Sequence, residues 1–330
     1  MSKTRTLPET LIDEARGDPG SPGESKVVSL IIPVHNRVEL TRACLDSVFA
    51  NTEPSARLEI MIVDDCSTDA TASYLTSLGD KVLVIRNEAR GSFGANTNKA
   101  AEAASGEYLL ILNNDTIVTN NWLTPLLKIA ETHKDAAVVG NCQLYASSGL
   151  INHAGMVFND RGRPVHLYDG MPADFPAART SRTLQAVTGA CWLVPRKIFH
   201  ELGGFDPMFR NGYEDVDFCL RAQKHGYTIW YAADSVIYHH VSSSAGRHDH
   251  EEENATLFAT RWQQDVIRDR AIVLARDGRP PEPMDGRLHH LFRAVLLRSN
   301  GLNRLWSGFL RMPGGLALAE LVSRFFRQRP

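Results

Sequence analysis

The segment from Tyr108 to Thr116 is a run of large apolar residues that ends abruptly in two amides and a carboxylate, Asn113, Asn114 and Asp115. Acidic or amide side chains at the carboxyl end of a buried strand stand where open α/β sheets bind ligands. Asn and Asp are also ordinary turn formers, so this segment alone leaves both readings open. Other chemistry-bearing groups sit at similar places. His35-Asn36 follow the apolar run 27–33, Asp64-Asp65 follow Glu59–Val63, and Arg86-Asn87 follow Val82–Ile85. Further on, Glu214-Asp215 open a helical pattern and His239-His240 close a short apolar one. A carboxylate pair suits proton transfer, and at a helix start it also complements the helix dipole.

The elements that must position these groups alternate. The spacing predicts strands at 27–33, 59–63, 82–85 and 108–112, with helices over 38–49, from Ser67 or Thr68 as N-cap to Leu78, and from the Gly91–Gly94 turn to Ala104. Alternating strands and helices mean βαβ units and a parallel sheet, whose right-handed crossovers bring the strand ends to one edge. Asn36, Asp64, Asp65, Asn87 and Asp115 are therefore expected to meet there, and several polar strand ends together point to a functional crevice.

The second half reads differently. A helix is expected over 122–133, strands over 136–141 and 155–158, and a long polar loop over 160–182. Leu184–Val194 reads as one long strand with Gly189-Ala190 in its middle, where small side chains permit close approach. A short helix 195–202 closes at Gly203-Gly204, the Glu214 helix runs to His225, and short strands follow at 228–231 and 235–238. Asp217 stands four residues before Arg221, a structural ion-pair spacing.

With 330 residues, 43% of them hydrophobic and 22% charged, the chain can bury a large core. A net charge of −2 argues against a general nucleic-acid binder. The five scattered cysteines lack any Cys-x-x-Cys pair, which favours reduced thiols in a cytoplasmic protein over disulfides or structural zinc. No apolar h-region opens the chain, and no stretch reaches the roughly 18 apolar residues of a spanning helix.

Taken in order, SLIIPVHNR, EIMIVDDCSTDAT, RNEARGSFGANTNKAAEAASGEYLLILNNDT, TGACWLV, GGFDPMFRNGYEDVDFCLRAQKHGY and VIYHHVSSS resemble the inverting family 2 glycosyltransferases of the bacterial polysaccharide and O-antigen type. The resemblance covers about residues 27–265. It implies an α/β GT-A fold, with a Rossmann-like, mainly parallel central sheet, flanking helices and a C-terminal helical extension. The domain expectation is a disordered arm over 1–26 and a GT-A domain over 27–245. Its nucleotide-sugar half is 27–120 and its acceptor and base half 121–245. A helical extension occupies 246–330.

The resemblance also implies roles. The activity would be transfer from a UDP- or dTDP-sugar to a hydroxyl of a glycan or lipid-linked saccharide, assisted by Mn2+ or Mg2+. Asp115 resembles the last acid of the family's Asp-x-Asp motif, with Asn113 at its first position, and His239 would complete the metal or diphosphate site. Val241 stands where related sequences carry an acid. Asp64 resembles the base-reading acid, Pro33, His35 and Asn36 the base pocket, and Arg86, Gly94, Asn98, Asn113 and Asn114 further nucleotide-sugar contacts. Asp215 resembles the catalytic base, with Glu214 touching donor or acceptor. Gly189, Ala190 and Trp192 are placed at the acceptor, Trp192 standing between core and acceptor wall, and Arg261-Trp262 is expected to close over the site.

From Arg287 onward eight arginines face one acid, Glu320, interleaved with leucine and aromatic residues. That pattern suits a helix on an anionic membrane surface, peripheral on the inner face of the plasma membrane; a helix packed on the domain or on a second copy in a homo-oligomer is the other reading. Two further functions stand as alternatives, a sugar-nucleotide nucleotidyltransferase and a catalytically inactive glycan-binding scaffold. The first lacks a Gly-rich loop in Pro33–Arg37, and the intact acid set argues against the second.

Overall fold

The computed structural model describes residues 27–53, 56–241 and 249–278. The expected arm over 1–26 and the basic helices from 287 lie outside the described residues. The first half follows the sequence closely: β1 (Val27–Val34), α1 (Val38–Asn51), β2 (Arg57–Asp64), α2 (Thr71–Ser77), β3 (Leu83–Arg86), α3 (Phe93–Ala103) and β4 (Tyr108–Leu112). These strands pair in parallel in the order β4-β1-β2-β3. Helices cover both faces, which explains the unbroken apolar runs. Leu30, Ile32, Leu110 and Leu112 pack with Cys44, Leu45 and Val48 of α1. Ile31, Met61, Leu109 and Ile111 face the other way, toward Ala100 and Ala101 of α3.

The second half continues with β5 (Thr116–Val118), α4 (Thr124–Thr132), β6 (Ala136–Tyr145), β7 (Ile151–His153), β8 (Met156–Phe158), β9 (Pro164–His166), β10 (Arg182–Thr183), β11 (Cys191–Pro195), α5 (Arg196–Glu201), α6 (Glu214–Lys224), β12 (Thr228–His239), α7 (Glu251–Trp262) and α8 (Arg270–Arg276). It extends the same sheet as β10-β12-β6-β11 on the β4 side. β11 runs antiparallel to both β4 and β6, so the sheet is mixed.

Several expectations change, and the loop foreseen over 160–182 carries β9 and the start of β10. The strand foreseen over 184–194 is β11 alone, because 186–190 leaves the sheet and crosses β6. A Cβ on Gly140 would lie 2.6 Å from Val187. The strands foreseen at 228–231 and 235–238 are one strand, β12, with its pairing to β6 shifted between Ala232 and Val236. Neither Ser67 nor Thr68 caps α2; Asp69 Oδ1 accepts from Thr71 N, while Ser67 and Thr68 bond to Asn36. Beyond residue 245, Phe258, Trp262, Val266 and Leu274 join the main core, so α7 and α8 pack into the same body as the sheet. Among the described residues no helix is long and apolar enough to cross a membrane. The cysteines are free, all buried except the half-buried Cys66.

Candidate active site

The carboxyl ends of β1, β2 and β4 open on one cleft of about 590 Å³, closed opposite by residues 188–190, residues 211–216 at the start of α6 and the first turn of α7. Its size suits a small-molecule ligand. Asn36, Arg37, Asn211 and Tyr213 line it and all hold positive φ, between 54° and 70°. Strained backbone of this kind persists where surrounding structure over-determines it, as at binding sites.

At one end, the loops after β1 and β2 brace each other. His35 Nδ1 donates to Asp65 O at 2.8 Å, and Asn36 Oδ1 accepts from Thr68 N at 2.7 Å. Pro33, His35 and Asn36 line the cleft, but Asp64 does not. It is 1% exposed, accepts from Ser67 N and pairs with Arg86 at 3.0 Å, so both residues serve the loop. The acid that reaches the cleft is its neighbour Asp65, which accepts from Asn87 Nδ2 and Gly91 N and pairs with Arg90. Gly94 and Asn98 are also turned away. A Cβ on Gly94 would lie 3.0 Å from Phe205, and Asn98 exchanges two hydrogen bonds with the Phe205 backbone. One turn along α3 from Phe93, Asn96 takes the cleft position and accepts from Asn87 Nδ2 at 2.7 Å.

The middle of the cleft is the segment after β4. Asn113 N donates to Ala190 O at 2.8 Å, which joins the β4 end to the opposite wall. Asn114 Nδ2 donates to Thr41 Oγ1 on α1. β5 then pairs antiparallel with the end of β12, setting Thr116 opposite His239, and His240 N donates to Asp115 O. The result brings Asp115 and His239 together, 3.2 Å between Oδ1 and Nε2. Beneath them the Cys44 thiol is pushed up to about 12 by burial, so it stays protonated.

At the far end Asp215 sits in the first turn of α6. Its Oδ2 accepts from Gly189 N at 2.7 Å and its Oδ1 from Val216 N at 2.8 Å. Glu214 accepts from Gly212 N. Gly189 and Ala190 line this end, but Trp192 does not: it is fully buried and stacked on Phe205 at 5.4 Å. Arg261 and Trp262 do not close over the cleft either. They reach Asp217, with Arg261 also on Asp206, and tie α7 to the base of α6. Met208 N and Arg261 outweigh burial at Asp206 and hold its carboxyl below the usual range.

Several cleft residues carry no sequence signal of their role. His166 stands in the wall, in edge contact with the fully buried His153. Asn254 of α7 grips the Arg210 backbone with two hydrogen bonds and so fixes the approach to Tyr213.

The donor set fits a divalent cation modestly. Among the described residues no group of three or more His, Cys, Asp or Glu is gathered as a metal cage. Asp115 and His239 offer one oxygen and one nitrogen, and His239 Nε2 is a buried atom without a hydrogen bond. Hard cations held by one or two protein groups complete their shell with water and phosphate oxygens. Charge points the same way. Asp65, Asp115, Glu214, Asp215 and Glu251 line the cleft against Arg37 and Arg90, so a diphosphate entering it needs added positive charge.

The family described as "Glycosyl transferase family 2" matches residues 29–203. A curated relative, the "O-antigen biosynthesis protein RfbC" of Myxococcus xanthus, is 33% identical over 225 residues, 66% of this chain but only 17% of that protein. The chain thus spans about a sixth of that relative's length. Among solved structures, GalNAc-T7 with UDP, GalNAc and Mn2+ covers 78% of this chain and 56% of its own, at a TM-score of 0.56 and 18% identity. The Pyrobaculum calidifontis mannosyltransferase PcManGT, with GDP-Man and Mn2+, covers 97% and 94% at a TM-score of 0.54 and 16% identity. At these identities the structures speak for the fold, a mixed α/β sheet of GT-A type.

Proposed function

Because the chain belongs to glycosyl transferase family 2 and is a glycosyltransferase, we propose that it moves a sugar from a UDP- or dTDP-sugar to a hydroxyl of a surface glycan or lipid-linked saccharide, with inversion. One observation carries this reading. A single cleft has a carboxylate–imidazole pair, Asp115 and His239, at its middle and an oriented carboxylate, Asp215, at its far end. The first suits a departing diphosphate and the second an attacking hydroxyl. The relative named for O-antigen biosynthesis supports the glycan acceptor.

In the single displacement, the acceptor oxygen bonds to the anomeric carbon as the bond from that carbon to the diphosphate oxygen breaks. The electron pair leaves with the nucleoside diphosphate and the hydroxyl proton passes to Asp215. Each Asp215 oxygen accepts one backbone N–H, which leaves a lone pair on each for that proton. Asp115 and His239 would hold a divalent cation, which when bound neutralises the leaving diphosphate as a Lewis acid. Asp65, His35, Asn36 and Asn96 form the base and ribose end, with Asp65 taking the place expected of Asp64. Gly189 keeps the wall thin where the acceptor meets Asp215.

A thermal-shift panel of sugar nucleotides with and without Mn2+ tests the reading. A true donor at about 100 times its Kd adds about 2.7 kcal/mol of stability. Stabilisation by a UDP- or dTDP-sugar that needs Mn2+ is expected; stabilisation by none of them would overturn it.

A further inference from the structure

β6 is buried along its whole length, yet it carries two amides, Asn141 and Gln143, both fully buried. Burying an amide in a strand core is costly unless its hydrogen bonds are made. Gln143 makes one to each side. Its Nε2 donates to Asn141 Oδ1 at 3.3 Å, and its Oε1 stands 3.1 Å from His239 Nδ1. With Nε2 oriented toward Asn141 Oδ1, the oxygen is what faces the histidine, and an oxygen there accepts only from a protonated Nδ1. In that arrangement the imidazole's proton is on Nδ1 and the lone pair on Nε2, the atom beside Asp115 Oδ1. The reverse tautomer would turn an N–H toward the place where a cation would sit.

We infer that Gln143 is a positioning residue: through Nδ1 it fixes the tautomer and ring orientation of His239, so that Nε2 is presented as a metal ligand beside Asp115. Outer partners of metal-binding histidines act in this way, and their loss weakens metal affinity roughly 10- to 100-fold. The pairing of β6 with β12 supplies the placement. Ile237 pairs with Gln143 and His239 with Tyr145, so the amide lies one pleat below the imidazole on the same pair of strands. The inference rests on the proposed cation site and deepens it.

The test is Mn2+ titration of the full chain in the presence of UDP, read by the EPR signal of free Mn2+, for wild type, Gln143→Leu and Gln143→Glu. Gln143→Leu is expected to weaken Mn2+ binding 10- to 100-fold. Gln143→Glu is expected to stay within a few-fold of wild type, because a carboxylate accepts the same Nδ1–H. Wild-type affinity in Gln143→Leu overturns the inference, as does equal loss in both variants. A wild type that binds no Mn2+ overturns the cation site itself, and the inference with it. Long-range 1H–15N spectra of histidine-labelled wild-type protein need no variant. An Nδ1–H tautomer at His239 is expected, and an Nε2–H tautomer overturns the inference even where Mn2+ binds.

Discussion

The amide of Gly189 donates to Asp215 Oδ2 at 2.7 Å, and a Cβ on Gly189 would lie 3.2 Å from Asp215 Cβ. The segment 186–190 and the first turn of α6 are therefore fitted to one another at the carboxylate proposed as base. Gly189→Ala keeps the amide but crowds that contact, so Asp215 must shift by a few tenths of an ångström. Misplacement of about 1 Å at a reacting group can cost about 100-fold in rate. A fall in kcat of about 10-fold with an unchanged donor KM is expected, measured by steady-state transfer.

Asp215→Asn removes the proton acceptor and keeps one oxygen for one of the two backbone N–H groups that Asp215 receives. Loss of a general base typically costs about 10²- to 10⁴-fold. Turnover should fall by that factor while calorimetric titration still detects nucleotide binding. Near-normal turnover would assign the proton elsewhere.

The first four strands and their polar ends are legible in the sequence because each is a continuous apolar run covered on both faces. That same coverage hides direction. Trp192 and Val194 face one core and Cys191 and Leu193 the other, and no pattern says which side borders the cleft. At the β2 end, adjacent acids point oppositely, and only the Ser67 and Arg86 contacts turn Asp64 inward and leave Asp65 to the cleft. Residues 186–190 are apolar enough for a strand, but Val187 spends its side chain on Gly140 of β6. Gln143 gives no signal of its role, since the partner that defines it, His239, comes from β12, about a hundred residues on.

Asp115→Ala leaves His239 as the one side chain of the proposed cation pair. Mn2+-dependent stabilisation by the sugar nucleotide should disappear in a thermal-shift experiment, while any metal-independent component persists. An unchanged Mn2+ response would place the cation at other residues.

Asp217 was legible from its spacing to Arg221, and the structure adds Arg261 and Trp262 as partners on α7. The carboxylate is fully buried, whereas the two arginines are partly so. Breaking a buried pair from one side costs about 3–5 kcal/mol, because the remaining charge loses its partner. Asp217→Ala should lower stability by about 3 kcal/mol in urea denaturation at pH 7. A change below about 1 kcal/mol would mean that solvent takes over both arginines.

Acid sensitivity should be traceable to His153. Burial holds its pKa well below the usual histidine value, and His166 and His239 nearby oppose its protonation further. Thr188 N donates to its Nε2 at 3.3 Å, which suits the neutral ring. In the unfolded chain the same histidine titrates near about 6.5. Below that pH the unfolded state binds a proton that the native state refuses, so stability falls as pH falls and is fully present above about 7. One such group contributes a slope of up to about 1.4 kcal/mol per pH unit. His153→Gln keeps an acceptor for Thr188 N and removes the titration. Urea-unfolding free energies at pH 7.5 and 5.5 should therefore diverge less in the variant than in wild type, by about 1 kcal/mol. Equal divergence would move the acid sensor to His166, whose pKa burial also lowers, or to the carboxylates.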